Sequence, residues 1–297
     1  MSIKLHFVIL VFFLLSLHPL YASLEPGQVP EHVKVMPVFF VPSDEKEPSR
    51  DQKARLVRHL RIAQSRFREM LKRRDTFQIE NKQPLVIKGL HSVSHYKWEG
   101  KPWTMSYEPL SEIFTACGWN RFNCPYVLMI IIMNPKENCP RGAGRPFNTG
   151  FNGGGGLVYM SSYSLDKYPA FQATLQHELG HSFGLVHVTA YGYDKEKNPS
   201  IMSSNNNNYW TGFKPPKSPG ILIPEDLRSL ARNKKVFQNF YFDSATDIPP
   251  GYKINRTTQR LNAKSKFPGQ KEYKIEAATD SGQAHDSSVS HLSLIHI

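Results

Sequence analysis

The chain has 297 residues, 40% of them hydrophobic and 21% charged. This is the balance of an ordinary globular protein, with room for one large domain or two small ones. A formal net charge of +12 favours anionic surfaces, polysaccharides or acidic substrates as partners. After residue 22 no apolar run is long enough to cross a membrane, which excludes an integral membrane protein of the helical kind.

Lys4 precedes an apolar run from Leu5 to Leu17, and the small residues Ala22 and Ser23 follow. That is the pattern of a signal peptide over residues 1–22, and it predicts a secreted, extracellular protein. Ser23 to Pro30 is a short polar leader that leaves little room for a propeptide. Val33 to Val41 reads as the first strand, with Pro37 limiting its pairing. A helix is predicted from about Arg50 to Arg74, where Leu56, Leu60, Ala63 and Phe67 step by three and four. Residues 50–74 carry ten Lys/Arg against two Asp/Glu. This is either an anion-binding face or a solvated outer face.

Thr76–Glu80 and Pro84–Lys88 are strand candidates. Gly89 to Tyr107 mixes His91, His95, Trp98 and Trp103 with turn residues and shows no helical pattern around the two histidines. Glu108 to Gly118 reads as a short helix. Tyr126 to Met133 is the most apolar run beyond the leader and predicts a central strand buried on both faces. Asn134 to Asn148 reads as a loop. The three cysteines are Cys117, Cys124 and Cys139. Export permits one internal pair, Cys117–Cys124 or Cys124–Cys139, with one thiol left over.

Gly150 to Gly156 is glycine-rich, but Leu157-Val158-Tyr159-Met160 follows where a phosphate loop needs Lys-Ser or Lys-Thr and a helix. The glycines therefore shape a turn or bulge before a strand. Ser164 or Asp166 can cap the next helix, with Pro169 in its first turn. That helix carries His177-Glu178-Leu179-Gly180-His181-Ser182-Phe183-Gly184-Leu185-Val186-His187, which reads H-E-x-x-H-x-x-G-x-x-H. Positions i and i+4 lie about 40° apart around a helix, so His177 and His181 can grip one metal ion. Glu178 lies about 100° away, beside the metal, where a carboxylate can reach a bound water. Gly184 can take positive φ and end the helix, turning His187 back as a third ligand. Phe171, Leu175, Leu179 and Phe183 form a separate apolar stripe to be buried. Beyond a polar loop lies Pro199-Ser200-Ile201-Met202-Ser203, then an Asn205–Asn208 run flanked by Tyr209, Trp210 and Phe213. Pro224 to Arg232 reads as a helix with acids first and bases last. Asn255-Arg256-Thr257 is a glycosylation sequon.

The zinc-type motif and the Met-containing segment together resemble the signature and Met-turn of the metzincin zinc metallopeptidases. The likeness is carried by residues 176–204, about a tenth of the chain, and its motifs are specific in type and order. It implies an α+β fold with a twisted mixed β-sheet, two long helices packed on it, and a small C-terminal subdomain. The catalytic domain would cover residues 23–256, with its N-terminal subdomain ending at about 187. A polar linker or tail would fill 257–291, and residues 292–297 look like translated sequencing adapter. The resemblance further implies Zn2+ held by His177, His181 and His187 over an apolar floor at Met202. The zinc would polarise a peptide carbonyl and supply the nucleophile, with Glu178 as general base. In metzincins an edge strand before the zinc helix pairs with extended substrate, and Leu157, Val158 and Tyr159 are the candidates for it. Ser204 stands where some branches carry a Tyr that helps hold the oxyanion. The expected activity is therefore that of a secreted metalloendopeptidase. The alternatives are a secreted zinc-fold binding protein for anionic polymers and a zinc hydrolase of a non-peptide amide or ester. Glu178 argues for catalysis, since a pure binder has no use for that carboxylate.

Overall fold

The computed structural model describes residues 30–72, 74–97, 107–147, 155–167, 170–194, 198, 200–203 and 220–251. The signal peptide, Trp98, Trp103, most of the glycine run, Pro169, Ser204, the Asn run with its aromatics, the sequon, and residues 257–297 lie outside them. Among the described residues no helix is long and apolar enough to cross a membrane.

The fold is a mixed α/β arrangement around a five-stranded sheet of order β2-β1-β3-β5-β4. Its strands are β1 (Lys34–Val41), β2 (Leu85–Lys88), β3 (Tyr126–Ile132), β4 (Ala143–Pro146) and β5 (Gly156–Ser161). β1, β2, β3 and β5 run parallel, and β4 alone is antiparallel, on β5. The predicted first strand and the central strand are both present, and β3 sits mid-sheet between β1 and β5. Pro37 is accommodated by a gap in the pairing. Val35 exchanges backbone bonds with Gln78 and Glu80, and β2 pairs only from Val38 onward. Strand groups alternate sides, so Pro37 faces the break, where no N–H is needed. The candidate strand Thr76–Glu80 is reduced to one bridge, Val35↔Ile79.

The helices are α1 (Arg50–Met70), α2 (Glu108–Cys117), α3 (Ala170–Ser182), α4 (Pro224–Arg232) and α5 (Ser244–Asp247). α1 starts at a full capping box between Ser49 and Gln52 and ends one turn short of the sequence expectation. Among the described residues, the contacts of the two cap candidates for α3 lie elsewhere. Ser164 Oγ donates instead to the Ser161 carbonyl, and Asp166 pairs with Arg55 of α1.

Period-two burial of β1, β3 and β5 divides the interior in two. Val35, Phe39, Met129, Ile131, Val158 and Met160 face α1, α3 and the C-terminal region. Met36, Phe40, Leu128, Ile130, Leu157 and Tyr159 face α2 and its flanking loops. The apolar stripes read from the sequence are the buried ones: Leu56, Leu60, Ala63 and Phe67 of α1, and Phe171, Leu175 and Leu179 of α3 with Phe183 just beyond it. No disulfide joins Cys117, Cys124 and Cys139 to one another.

The C-terminal region is pinned back onto α1. Arg74 grips Asp247 through two nitrogens at 2.7 and 3.1 Å, Lys72 Nζ adds a contact at 3.2 Å, and the Asp247 side chain has no exposed surface. Burial works against its charge. The Arg74 and Lys72 contacts and the Asp243 N–H outweigh that and hold the carboxyl below the usual carboxylate range. A depressed folded-state pKa contributes stability above the unfolded value of about 4, lost as pH falls through the lower folded one. Asp247→Ala should therefore cost on the order of 2 kcal/mol at pH 7, since it removes the buried partner of both Arg74 and Lys72. The loss should shrink toward pH 3, as read by urea unfolding at both pH values.

Candidate metal and catalytic centre

α3 ends as its sequence requires. Gly184 adopts a left-handed φ of +96°, which any side chain would strain. The Leu185 N–H turns back to the Gly180 carbonyl at 2.9 Å. The chain then runs out through His187 into a short 3-10 turn, Val188–Tyr191. This reversal returns His187 to the first two histidines. Nε2 of His177 lies 3.1 Å from Nε2 of His181 and 3.2 Å from that of His187, and the last two are 3.1 Å apart.

The Nδ1 atoms of His177 and His181 fix what two of these three atoms are. His177 Nδ1 lies 2.7 Å from the Ile201 carbonyl and His181 Nδ1 2.9 Å from the Leu185 carbonyl. A carbonyl only accepts, so both Nδ1 atoms carry protons. Burial, opposed by the Ile201 bond and reinforced by His187, lowers the His177 pKa to about 4. Burial and His177 lower that of His181 to about 3. Both rings are therefore neutral at pH 7, and their Nε2 lone pairs face each other with no proton between them. Lone pairs at this distance repel unless a cation sits among them. A triangle of such sides has a point about 2 Å from every corner, the bond length of imidazole nitrogen to zinc. The three residues are the described group able to hold a metal, and the donor set fits zinc.

The segment Ser200 to Ser203 packs against α3. Met202 is fully buried, and a Cβ on Gly180, between the two helical histidines, would come within 2.4 Å of its sulfur. The Met202 carbonyl accepts from Val188 N–H, next to His187, at 3.1 Å. One short segment thus orients His177 through Ile201, packs on the helix through Met202, and ties down the His187 arm. α4 holds that segment in turn. Met202 N–H donates to Ser200 Oγ at 3.0 Å, and Ser200 Oγ donates to Asp226 Oδ2 at 3.0 Å. Ile223 N–H also donates to Asp226. Burial pushes the Asp226 carboxyl up to about 7. From sequence, Asp226 was simply an acid in the first turn of a helix.

Glu178 follows His177 on α3 and is half-buried. Burial raises its pKa to about 7, opposed by a bond from the Gly144 backbone N–H. The Gly144 partner lies on β4, within the stretch read as a loop. A Cβ on Gly144 would meet the Glu178 carbonyl oxygen at 1.9 Å, so β4 lies against α3 with no room for a side chain.

The edge-strand assignment is corrected here. Leu157, Val158 and Tyr159 belong to β5, which is paired on both sides and buried at every residue. They are core residues and have no free edge for a peptide. The sheet ends at β4. Phe147 N–H bonds to the Gly155 carbonyl, so by antiparallel alternation Arg145 and Ala143 also face β5, while Gly144 and Pro146 face outward. His91 and His95 stack at 4.0 Å, and His95 pairs with Glu108; they stand apart from the His177 group.

No protein-family model matches the chain, and no curated protein matches it. Solved structures do. Wild-type OgpA from Akkermansia muciniphila is 17% identical, with 78% of this chain and 68% of that one covered and a TM-score of 0.42. Catalytically inactive OgpA in complex with an O-glycopeptide substrate, glycodrosocin, is also 17% identical, covering 73% and 64% at a TM-score of 0.43. Metalloproteinase-II from Bacteroides fragilis is 11% identical, covering 73% and 57% at a TM-score of 0.34.

Proposed function

We propose that the chain is a secreted zinc-dependent endopeptidase of the metzincin type. The observation that carries this reading is the convergence of three imidazole Nε2 atoms within 3.2 Å, where the residue after His177 on the helix is a half-buried carboxylate that is not one of the three. Zinc held there supplies a Lewis acid for a peptide carbonyl and a water acidified to a pKa of about 7.

The protein's own groups do the rest. Glu178, raised toward neutrality by burial, takes the proton from the attacking water and returns it to the leaving amine. To accept that proton the Glu178 carboxyl must be ionised when the cycle begins. Ile201 and Leu185 fix the tautomers of His177 and His181. The outer edge of β4 presents the carbonyls of Gly144 and Pro146 to an extended peptide. Pro146 has no N–H to offer, and that of Gly144 is engaged by Glu178. Pairing there would hold peptide backbone without reading side chains.

The test is cleavage of a mixed peptide pool by the protein, read by mass spectrometry. Cleavage is expected, lost on chelation and restored by zinc. The chelated protein should also melt lower, because an ion that binds only the folded state stabilises it. A folded protein that binds zinc yet cuts no peptide would overturn the reading. Export predicts that the protein recovered from the medium begins at Ser23; a product retained in the cell with Met1 in place would contradict it.

A further inference from the structure

The outer face of α1 carries positive charge that neither the fold nor the proposed chemistry uses. Arg50, Arg58, Arg61 and Arg68 are all exposed. At about 100° per residue, Arg50, Arg61 and Arg68 fall within roughly 20° of one line and Arg58 within about 80° of it. Ala54 and Ser65 fill the gaps. The buried stripe Leu56, Leu60, Ala63 and Phe67 lies on the far side of the helix. The basic face spans about 27 Å at 1.5 Å per residue. Four further cations of the segment are engaged: Arg55 with Asp166, Arg66 with Glu69, and Lys72 and Arg74 with Asp247. Among the described residues no carboxylate is within ion-pair distance of Arg50, Arg58, Arg61 or Arg68.

We infer that this face binds a linear sulfated polysaccharide. A straight row of guanidinium forks repels itself along the helix and is relieved by a polymer carrying anions along its length. Arginine presents two N–H groups at once to a sulfate oxygen pair, which lysine does not. The face bears no aromatic ring on which a base could stack, which disfavours single-stranded nucleic acid. Val57 lies on the line of the row but is half-buried, and the main apolar stripe of α1 is already in the core, so the face offers little to enter a bilayer. The row lies opposite the face of α1 turned toward α3, so an occupied row leaves the imidazoles open. The inference is independent of the proposed peptidase activity.

The test compares the full-length protein with Arg58→Gln/Arg61→Gln/Arg68→Gln and with Lys46→Gln/Lys88→Gln/Lys136→Gln, which removes equal charge from exposed positions elsewhere. Heparin is the probe, titrated at several salt concentrations, with duplex DNA and phosphatidylserine vesicles run in parallel. The arginine variant should bind heparin at least about tenfold more weakly, with a salt slope reduced by roughly two to three. The lysine variant should bind nearly as the parent, and chelation should change neither. Equal losses in the two variants would reduce the effect to bulk charge and overturn the inference. So would binding of duplex DNA or of the vesicles as tight as that of heparin.

Discussion

Glu178→Ala should lower kcat/KM for peptide cleavage by about 10³-fold or more while leaving zinc content unchanged. The separation follows from where the carboxylate sits. The three Nε2 atoms are held by Ile201, Leu185 and the return of the chain at Gly184, none of which involves the Glu178 side chain. Removing it takes away proton transfer, ordinarily worth about 10²- to 10⁴-fold, together with the orientation of the water. Stability should hold or rise slightly, because the side chain is a largely buried acid whose charge burial disfavours. Glu178→Asp gives a finer readout. Its shorter arm keeps the acid but loses reach to the water and to the Gly144 N–H, so activity should fall between parent and Ala. Equal rates for the parent and Glu178→Ala would show that some other group moves the proton. Loss of zinc along with activity would show that Glu178 supports the ligands.

How far the molecule could be read from its sequence depended on how local each cause was. The metal centre was legible because its geometry is helical arithmetic plus one glycine: His177 and His181 share a face, and Gly184 turns the chain. α1 and α3 were legible because their apolar residues recur at the helical period, β1 and β3 because they are short apolar runs, and α4 because acids open it and bases close it. β4 was not. Ala143-Gly144-Arg145-Pro146 has no alternation and holds two residues that strands avoid, so it read as loop. What makes it a strand is tertiary, namely pairing with β5 and contact with α3 at Glu178. The available signal was the placing of Gly and Pro themselves. Glycine in a strand marks close backbone approach, and proline is tolerated at an edge. Missing β4 moved the edge inward to Leu157–Tyr159, where the apolar character that suggested a strand was that of a buried one. Asp226 was hidden for a similar reason. Its service to Ser200 and the Met-turn depends on a contact across 26 residues that no local pattern encodes.

Gly144→Ala should lower kcat/KM by about 10²-fold, although it adds one methyl group and changes no charge. The φ of Gly144 lies outside the left-handed region, so alanine meets no conformational penalty there. The conflict is with the neighbouring chain. A Cβ would sit 1.9 Å from the Glu178 carbonyl oxygen, 2.6 Å from its carbon and 2.9 Å from its Cα. These are backbone atoms inside a helix and cannot rotate away, so β4 must lift from α3 by an ångström or more. Overpacking of this kind costs typically about 1–3 kcal/mol, and the strand is short and terminal enough to move rather than unfold the domain. Lifting β4 breaks the Gly144 N–H bond to the Glu178 carboxylate and shifts the substrate edge relative to the imidazoles. Misplacement by about 1 Å can cost on the order of 10²-fold in rate. The expected signature is a fall in kcat/KM of that size with zinc still bound and a modest drop in melting temperature. Gly118→Ala is the control, since Gly118 has a left-handed φ of +70° and nothing within 4 Å of an added Cβ. It should lose some stability through strain at the end of α2 and keep its activity. If Gly144→Ala instead retained full turnover, β4 would not be the strand on which substrate lies, and its contact with Glu178 would be packing alone.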